Sequence, residues 1–244
     1  MPRTADRDAP RRLVFSNASA VTVVPWDEEP LHRTLLASPL TRIYEARLAP
    51  GQATLFHSHT ADHTAYVVAA PPGGATVINE VAVAGADPPQ GETMRVTAGD
   101  TFSFCCRDGA LIHRISVPAG EGAGPHFVGV EVKPRVQGGG GAAPAPSLPP
   151  PFETTVDGDT FFIAKLKLAP GASMSPFPAP TTPAVVVVVA APSTGVSGSG
   201  AVVGAGREPG GFALWEGGDG GGGETWSVAN EGGSEYEVGV VVWK

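Results

Sequence analysis

Apolar and polar positions alternate in short stretches along most of the chain, and glycine and proline separate the stretches. Residues 41–48 set Ile43, Glu45 and Arg47 on one side and Arg42, Tyr44, Ala46 and Leu48 on the other, the period-two signature of a strand. Similar runs predict strands within residues 13–24, at 65–70, 76–83, 93–96, 101–106 and 126–133, and at 185–189 and 235–243. The Pro-Pro-Gly-Gly of residues 71–74 and the Asp-Pro-Pro-Gln-Gly of residues 87–91 read as turns between them. No helical periodicity extends beyond about three turns. The pattern predicts an all-β chain of barrels or sandwiches.

The pattern also repeats. Leu48-Ala49-Pro50-Gly51 recurs as Leu168-Ala169-Pro170-Gly171, 120 positions on, and at that offset residues 65–70 face residues 185–190. Further along, Gly99 faces Gly210 and Ser116-Val117 faces Ser227-Val228 at an offset of 111, and Gly129-Val130 faces Gly239-Val240 at 110. The second copy is therefore shorter in its middle. Residues 138–151, four glycines followed by a proline-rich run, read as a linker, flexible in its first half and extended in its second. The expected organisation is a first unit at 13–137, the linker at 138–151 and a second unit at 152–244. The linker is long enough for the second unit to dock on the first.

Chemistry concentrates in one stretch. Three of the six histidines, His57, His59 and His63, fall within seven positions after Pro50-Gly51, a pair suited to a tight turn. On a strand His57 and His59 point the same way, which makes half of a metal site. Thr60 to Asp62 is a short polar break that could bring His63 back toward them. His113 follows Gly109 in an alternating run that reads as another strand.

Gly51-x5-His57-x-His59-x3-His63, followed by Gly99-Asp100 and then Gly109-x3-His113, resembles the two motifs of the cupin superfamily. The resemblance implies two tandem cupin barrels (RmlC-like jelly rolls, a bicupin) with a degenerate second copy. It also implies a divalent metal held by His57, His59 and His113. His63 stands where the family usually has Glu, so it is the expected fourth ligand, although the family spacing also allows Thr64. Ala70 replaces the glycine that normally closes the first motif. In the second copy Phe177, Ala179 and Pro183 face His57, His59 and His63, and at the offset of 111 Glu224 faces His113. One metal per chain is expected, bound by the first unit. Pro176, Pro178, Pro180 and Pro183 predict an irregular or edge strand there. An empty second barrel with Phe177 and Trp215 inside could instead take a small apolar ligand.

The remaining candidates read more simply. Arg114 alternates away from the metal and suits a salt bridge. Phe102, Phe104 and Tyr66 read as core packing with pocket lining as the rival. Cys105 and Cys106 read as small buried hydrophobes, adjacent cysteines being ill placed for a disulfide. His32 and His126 match no motif and read as surface residues. Residues 1–12 read as a frayed arm.

Net charge of −8 argues against nucleic acid and anionic membrane as partners. No apolar run is long enough to span a bilayer and no secretory signal opens the sequence, so a cytoplasmic protein is expected. Imidazole ligands suit Fe, Zn, Ni and Cu alike, and the resemblance favours Fe(II), with Mn also open. A neutral donor set leaves the ion its full charge and favours an anionic co-ligand. The expected activity is a dioxygenase acting on a small organic anion. The alternatives are a zinc Lewis-acid cyclase or isomerase, and a non-catalytic metal-containing binding protein. The expected partners are a small-molecule substrate and the chain's own second barrel, with homo-oligomerisation left open.

Overall fold

The computed structural model describes residues 11–59, 63–71, 73–106, 109–120, 122–132, 147–217 and 224–244. Among them the chain is almost entirely strand. The first half carries β1 (Arg11–Val14), β2 (Ala20–Pro25), β3 (His32–Ala37), β4 (Thr41–Arg47), β5 (Phe56–His59) and β6 (His63–Ala70). It continues with β7 (Ala75–Val81), β8 (Glu92–Val96), β9 (Thr101–Cys105), β10 (Leu111–Ser116) and β11 (His126–Val132). The second half carries β12 (Glu153–Asp157), β13 (Phe161–Leu168), β14 (Ser173–Pro178), β15 (Ala184–Ala190), β16 (Val196–Ser199), β17 (Phe212–Trp215), β18 (Thr225–Asn230) and β19 (Tyr236–Trp243). A 3-10 turn at Trp26–Glu28 and the one-turn helix α1 (Ala201–Gly204) are the helical pieces among the described residues.

Each half is built from two sheets. In the first they run β1-β2-β5-β10-β7-β8 and β3-β4-β11-β6-β9; in the second, β12-β13-β19-β15-β17 and β14-β18-β16. Alternation decides where each side chain goes. On β4, Tyr44 and Ala46 point into the first barrel with Leu48 just beyond, while Ile43 points out of it. On β6, Tyr66 and Val68 point in, whereas Ala65, Val67 and Ala69 point out. The outward set meets its counterpart from the second half. Ile43, Val67, Val128 and Val130 form one buried cluster with Ile163, Val185, Val187 and Val241. Fully burying each such side chain is worth roughly 1.5–3 kcal/mol, so this shared core binds the halves firmly.

Backbone pairing relates the halves residue by residue. The Leu48-to-Gly51 turn recurs faithfully: Gly51 and Gly171 both sit at positive φ, 81° and 79°, as the third residue of a turn that closes from Gln52 N–H to Ala49 O and from Ala172 N–H to Ala169 O. Proline then glycine at the two central positions is what that turn requires. Gly99 N–H donates to Val68 O and Gly210 N–H to Val188 O, which makes Gly210 the counterpart of Gly99. His126 lies opposite Arg47 and Glu237 opposite Lys167, which pairs His126 with Glu237. A Cβ on Gly99 would collide with the Glu237 carboxylate, and one on Gly210 with the His126 ring. The two halves thus meet about an approximate two-fold axis.

Three expectations need correction. Arg11 and Arg12 belong to β1 and pair with Val23 and Thr22, so the arm is ordered from Arg11; residues 1–10 lie outside the described residues. His126 is buried, its Nε2 2.9 Å from Glu45 Oε2, not a surface residue. The repeat register also shifts: Phe177 pairs with Trp226 as His57 pairs with His113, so the counterpart of His113 is Trp226, not Glu224, and Val240 lies opposite Ala164 as Gly129 lies opposite Tyr44, so the counterpart of Gly129 is Val240, not Gly239. The proline-rich strand behaves as expected, with β14 at a sheet edge and its register broken between Met174 and Phe177. Most of the linker, residues 138–146, lies outside the described residues.

Candidate metal centre

The centre is made by two neighbouring antiparallel strands. His57 on β5 lies directly opposite His113 on β10, and His59 follows His57 by two positions on the same side. All three are buried. Their ring centroids are 4.5 Å (His57–His113), 5.0 Å (His57–His59) and 5.1 Å (His59–His113) apart. One ring nitrogen of each lies within 4.8 Å of one from each of the others.

Outer partners fix which nitrogen faces the centre. His57 Nδ1 lies 2.9 Å from the Leu55 carbonyl, which can only accept, so Nδ1 carries the proton and Nε2 keeps its lone pair. Leu55 is held in turn, its N–H donating to Glu29 Oε1 at 3.1 Å; Glu29 Oε2 accepts from Leu31 N–H at 2.7 Å. Burial raises the pKa of this carboxyl against the pull of those N–H donors. His113 Nδ1 lies 3.0 Å from Asn79 Oδ1, and again Nε2 is left over. His59 Nε2 is 3.5 Å from the Tyr66 hydroxyl, which itself meets Tyr44 Oη in a short hydrogen bond. The Trp26 ring lies parallel to that of His59.

His57 Nε2, His59 Nδ1 and His113 Nε2 are buried with no hydrogen-bond partner. A buried unsatisfied polar atom costs roughly 1–3 kcal/mol, so three in one place call for an explanation. A divalent cation satisfies all of them, and the donor set fits one. Burial, then mutual repulsion, holds the proton affinity of His57 and His59 well below the ordinary imidazole value; burial, then the charge His32 would carry, brings His113 to about 3. All are neutral at pH 7, as ligation requires.

The centre opens on a cavity of about 460 Å³. His57 and His113 stand on its wall, and Val77, Tyr66, Phe102, Phe104, Ile115 and Phe127 make it largely apolar. The aromatic residues read as core packing are therefore pocket lining as well. Glu92, Arg95 and Asp100 add charge to the lining, and Glu92 and Arg95 are exposed. Arg114 behaves as expected, forking onto Glu80 at 2.6 and 2.8 Å.

His63 begins β6, opposite Val132 and Cys105, and its side chain, like that of Cys105, lies outside the described residues. Thr64 beside it is fully buried with an unpartnered hydroxyl. Cys106 is buried, as a small hydrophobe would be.

His32 is the residue that sequence reasoning missed. It is not on the surface: it lines the cavity with its ring centroid 4.6 Å from that of His57. It lies across from Ala46, an inward position of β4, and that pairing brings it to the centre. No motif or spacing signals this.

No sequence-family profile matches the chain, and no curated protein does. Solved structures do match by shape. YhhW from Escherichia coli is similar at 14% identity, over 99% of this chain and 96% of that one, with a TM-score of 0.53. The oxalate decarboxylase of Lactobacillus farciminis is similar at 13% identity, over 97% and 86%, with a TM-score of 0.52. The salicylate 1,2-dioxygenase of Pseudaminobacter salicylatoxidans is similar at 11% identity, over 86% and 75%, with a TM-score of 0.50. The fold that the chain shares with them is the cupin fold. No helix among the described residues is long and apolar enough to cross a membrane.

Proposed function

We propose that the protein is a metal-dependent cupin enzyme, an Fe(II) or other divalent-metal dioxygenase acting on a small organic anion. The observation that carries this is the convergence of three buried, unpartnered imidazole nitrogens beside a cavity of about 460 Å³. His57, His59 and His113 are the ligands in this reading. A bound ion would act as Lewis acid and, if redox-active, would support reaction of the substrate with O₂.

The chain's own residues supply the rest. The Leu55 carbonyl and Asn79 hold His57 and His113 in the tautomer that presents Nε2. The aromatic walls exclude water and leave room for an organic molecule. Three neutral ligands leave the ion's charge uncompensated, so an anion is favoured at the ion itself, while Glu92, Arg95 and Asp100 give the outer lining mixed charge. Two of the structures similar in fold are named for salicylate and oxalate, both small organic anions.

A second reading, a Lewis-acid cyclase or isomerase holding zinc, draws support from the Tyr44–Tyr66 hydroxyl pair beside His59, which could hold a proton near the centre. Oxygen uptake by the iron-loaded protein across a panel of small carboxylates, enolates and phenolates tests both. Substrate-dependent O₂ consumption is expected. Turnover by the zinc-loaded protein without O₂ would favour the second reading, and no turnover with any metal would leave a metal-containing binding protein.

A further inference from the structure

The three-histidine set, whose nitrogens lie within 4.8 Å of one another, has a fourth imidazole, His32, just outside it. The His32 ring centroid is as close to that of His57, at 4.6 Å, as that of His113 is, at 4.5 Å, and it lies 6.1 Å from that of His59. Its Nδ1 is 3.0 Å from the Trp26 carbonyl, an acceptor only, so Nδ1 carries the proton and the lone pair sits on Nε2. That is the same device that orients His57 through Leu55. The backbone N–H of His32 donates to Glu29 O at 3.0 Å, and the Glu29 side chain accepts from Leu55 N–H, so one residue ties the segments carrying both rings.

Of the two residues the motif offers for a fourth place, the His63 side chain lies outside the described residues, and Thr64 is a weak rival. The inward residue of β6 at this level is Thr64, and a neutral hydroxyl is a poor ligand beside an imidazole.

Building on the metal centre proposed above, we propose that His32, from a strand outside both histidine motifs, is the fourth imidazole of that centre. On loading, its Nε2 joins those of His57 and His113 and a nitrogen of His59. Four neutral donors then hold the ion, and the cavity side keeps the position for substrate.

The test uses the full chain loaded with Co(II), read by X-ray absorption and by the visible bands of the ion, which report ligand number without any substrate. Four imidazoles are expected in the wild type and in His63→Ala, and three in His32→Ala, with Co(II) affinity lowered by at least about tenfold, the range lost when even an outer partner of a ligand is removed. An unchanged imidazole count and affinity in a folded His32→Ala protein would overturn the proposal. So would three imidazoles in the wild type, or a count that falls from four to three in His63→Ala; both remain decisive if His32→Ala does not fold. A wild type that binds no Co(II) at all would overturn the metal centre itself, which distinguishes that failure from this one.

Discussion

The two barrels share one backbone register and put it to opposite uses. Tyr44, Ala46, His57, Tyr66 and His113 face into the first; their counterparts by strand pairing in the second are Ala164, Leu166, Phe177, Val186 and Trp226. All five counterparts belong to, or pack inside, a continuous apolar cluster that includes Met174, Val202 and Tyr236. Bulk is redistributed as well as polarity. Gly129 makes room for the Tyr44 ring, whereas the corresponding pair is Val240 against Ala164. Helix α1 adds Ala201 and Val202 to the filling, with the Val202 carbonyl accepting from the Tyr236 hydroxyl. The suggestion of an apolar ligand in the second barrel therefore finds its interior occupied by the protein itself. Close packing is the default state of a β-barrel interior, and a site exists only where polar side chains and a shortage of volume hold it open. Phe, Ala and Trp at the positions of His57, His59 and His113 offer no lone pair to a metal.

The largest effect that sharpens this contrast is on stability. Trp226→Ala empties the centre of the filled barrel and is expected to cost about 3–5 kcal/mol, while His113→Ala at the matching position removes an orphaned polar atom and costs the metal-free protein much less. Denaturant titration of the two metal-free variants checks this, and equal losses would break the comparison. Next comes the ion. A metal that binds the folded state alone stabilises it by about 2.7 kcal/mol at a hundredfold excess over Kd. Chelator should lower Tm, metal should restore it, and the first barrel should respond more than the second by hydrogen exchange. A melting curve indifferent to chelator would mean that the histidines hold nothing.

Acid should act on the same barrel. Burial depresses the histidines below the ordinary 6.5, His32 to about 4 and, with the charge His32 would carry adding to it, His113 to about 3. The unfolded chain therefore takes up protons first. Stability of the metal-free protein is full above about pH 6.5 and falls as pH drops toward 4 and 3, by up to about 1.4 kcal/mol per pH unit for each such group. A flat pH profile between 6.5 and 4 would contradict this. The smallest effects test the two-fold axis. Gly99→Ala and Gly210→Ala each place a side chain at positive φ against the other half, and each should cost about 1 kcal/mol or more. Loss in one variant alone, by thermal melting, would show that the two contacts are not equivalent.

Much of this was legible in the sequence, for identifiable reasons. Alternation marks β4, β6 and β10 because one side of each strand must be apolar, and the spacing of His57, His59 and His113 survives because metal ligands are locked to strand period. The turn at Gly51 and its repeat at Gly171 were readable because positive φ demands glycine. What was hidden depends on pairing between strands. His32 reaches the centre through the β3–β4 register, His126 is buried because Glu45 meets it under Gly210, and Trp226 replaces Glu224 because local insertions shift the repeat offset. A lone histidine carries no period from which such placement could be read.

The central claim is that one barrel holds the chemistry and the other only supports it. Metal analysis of the full chain, purified without a histidine tag, beside His59→Ala and His126→Ala, tests it most directly. The account predicts one equivalent of divalent metal in the wild type, one in His126→Ala and none in His59→Ala. Two equivalents per chain, or metal retained when His59 is gone, would contradict it.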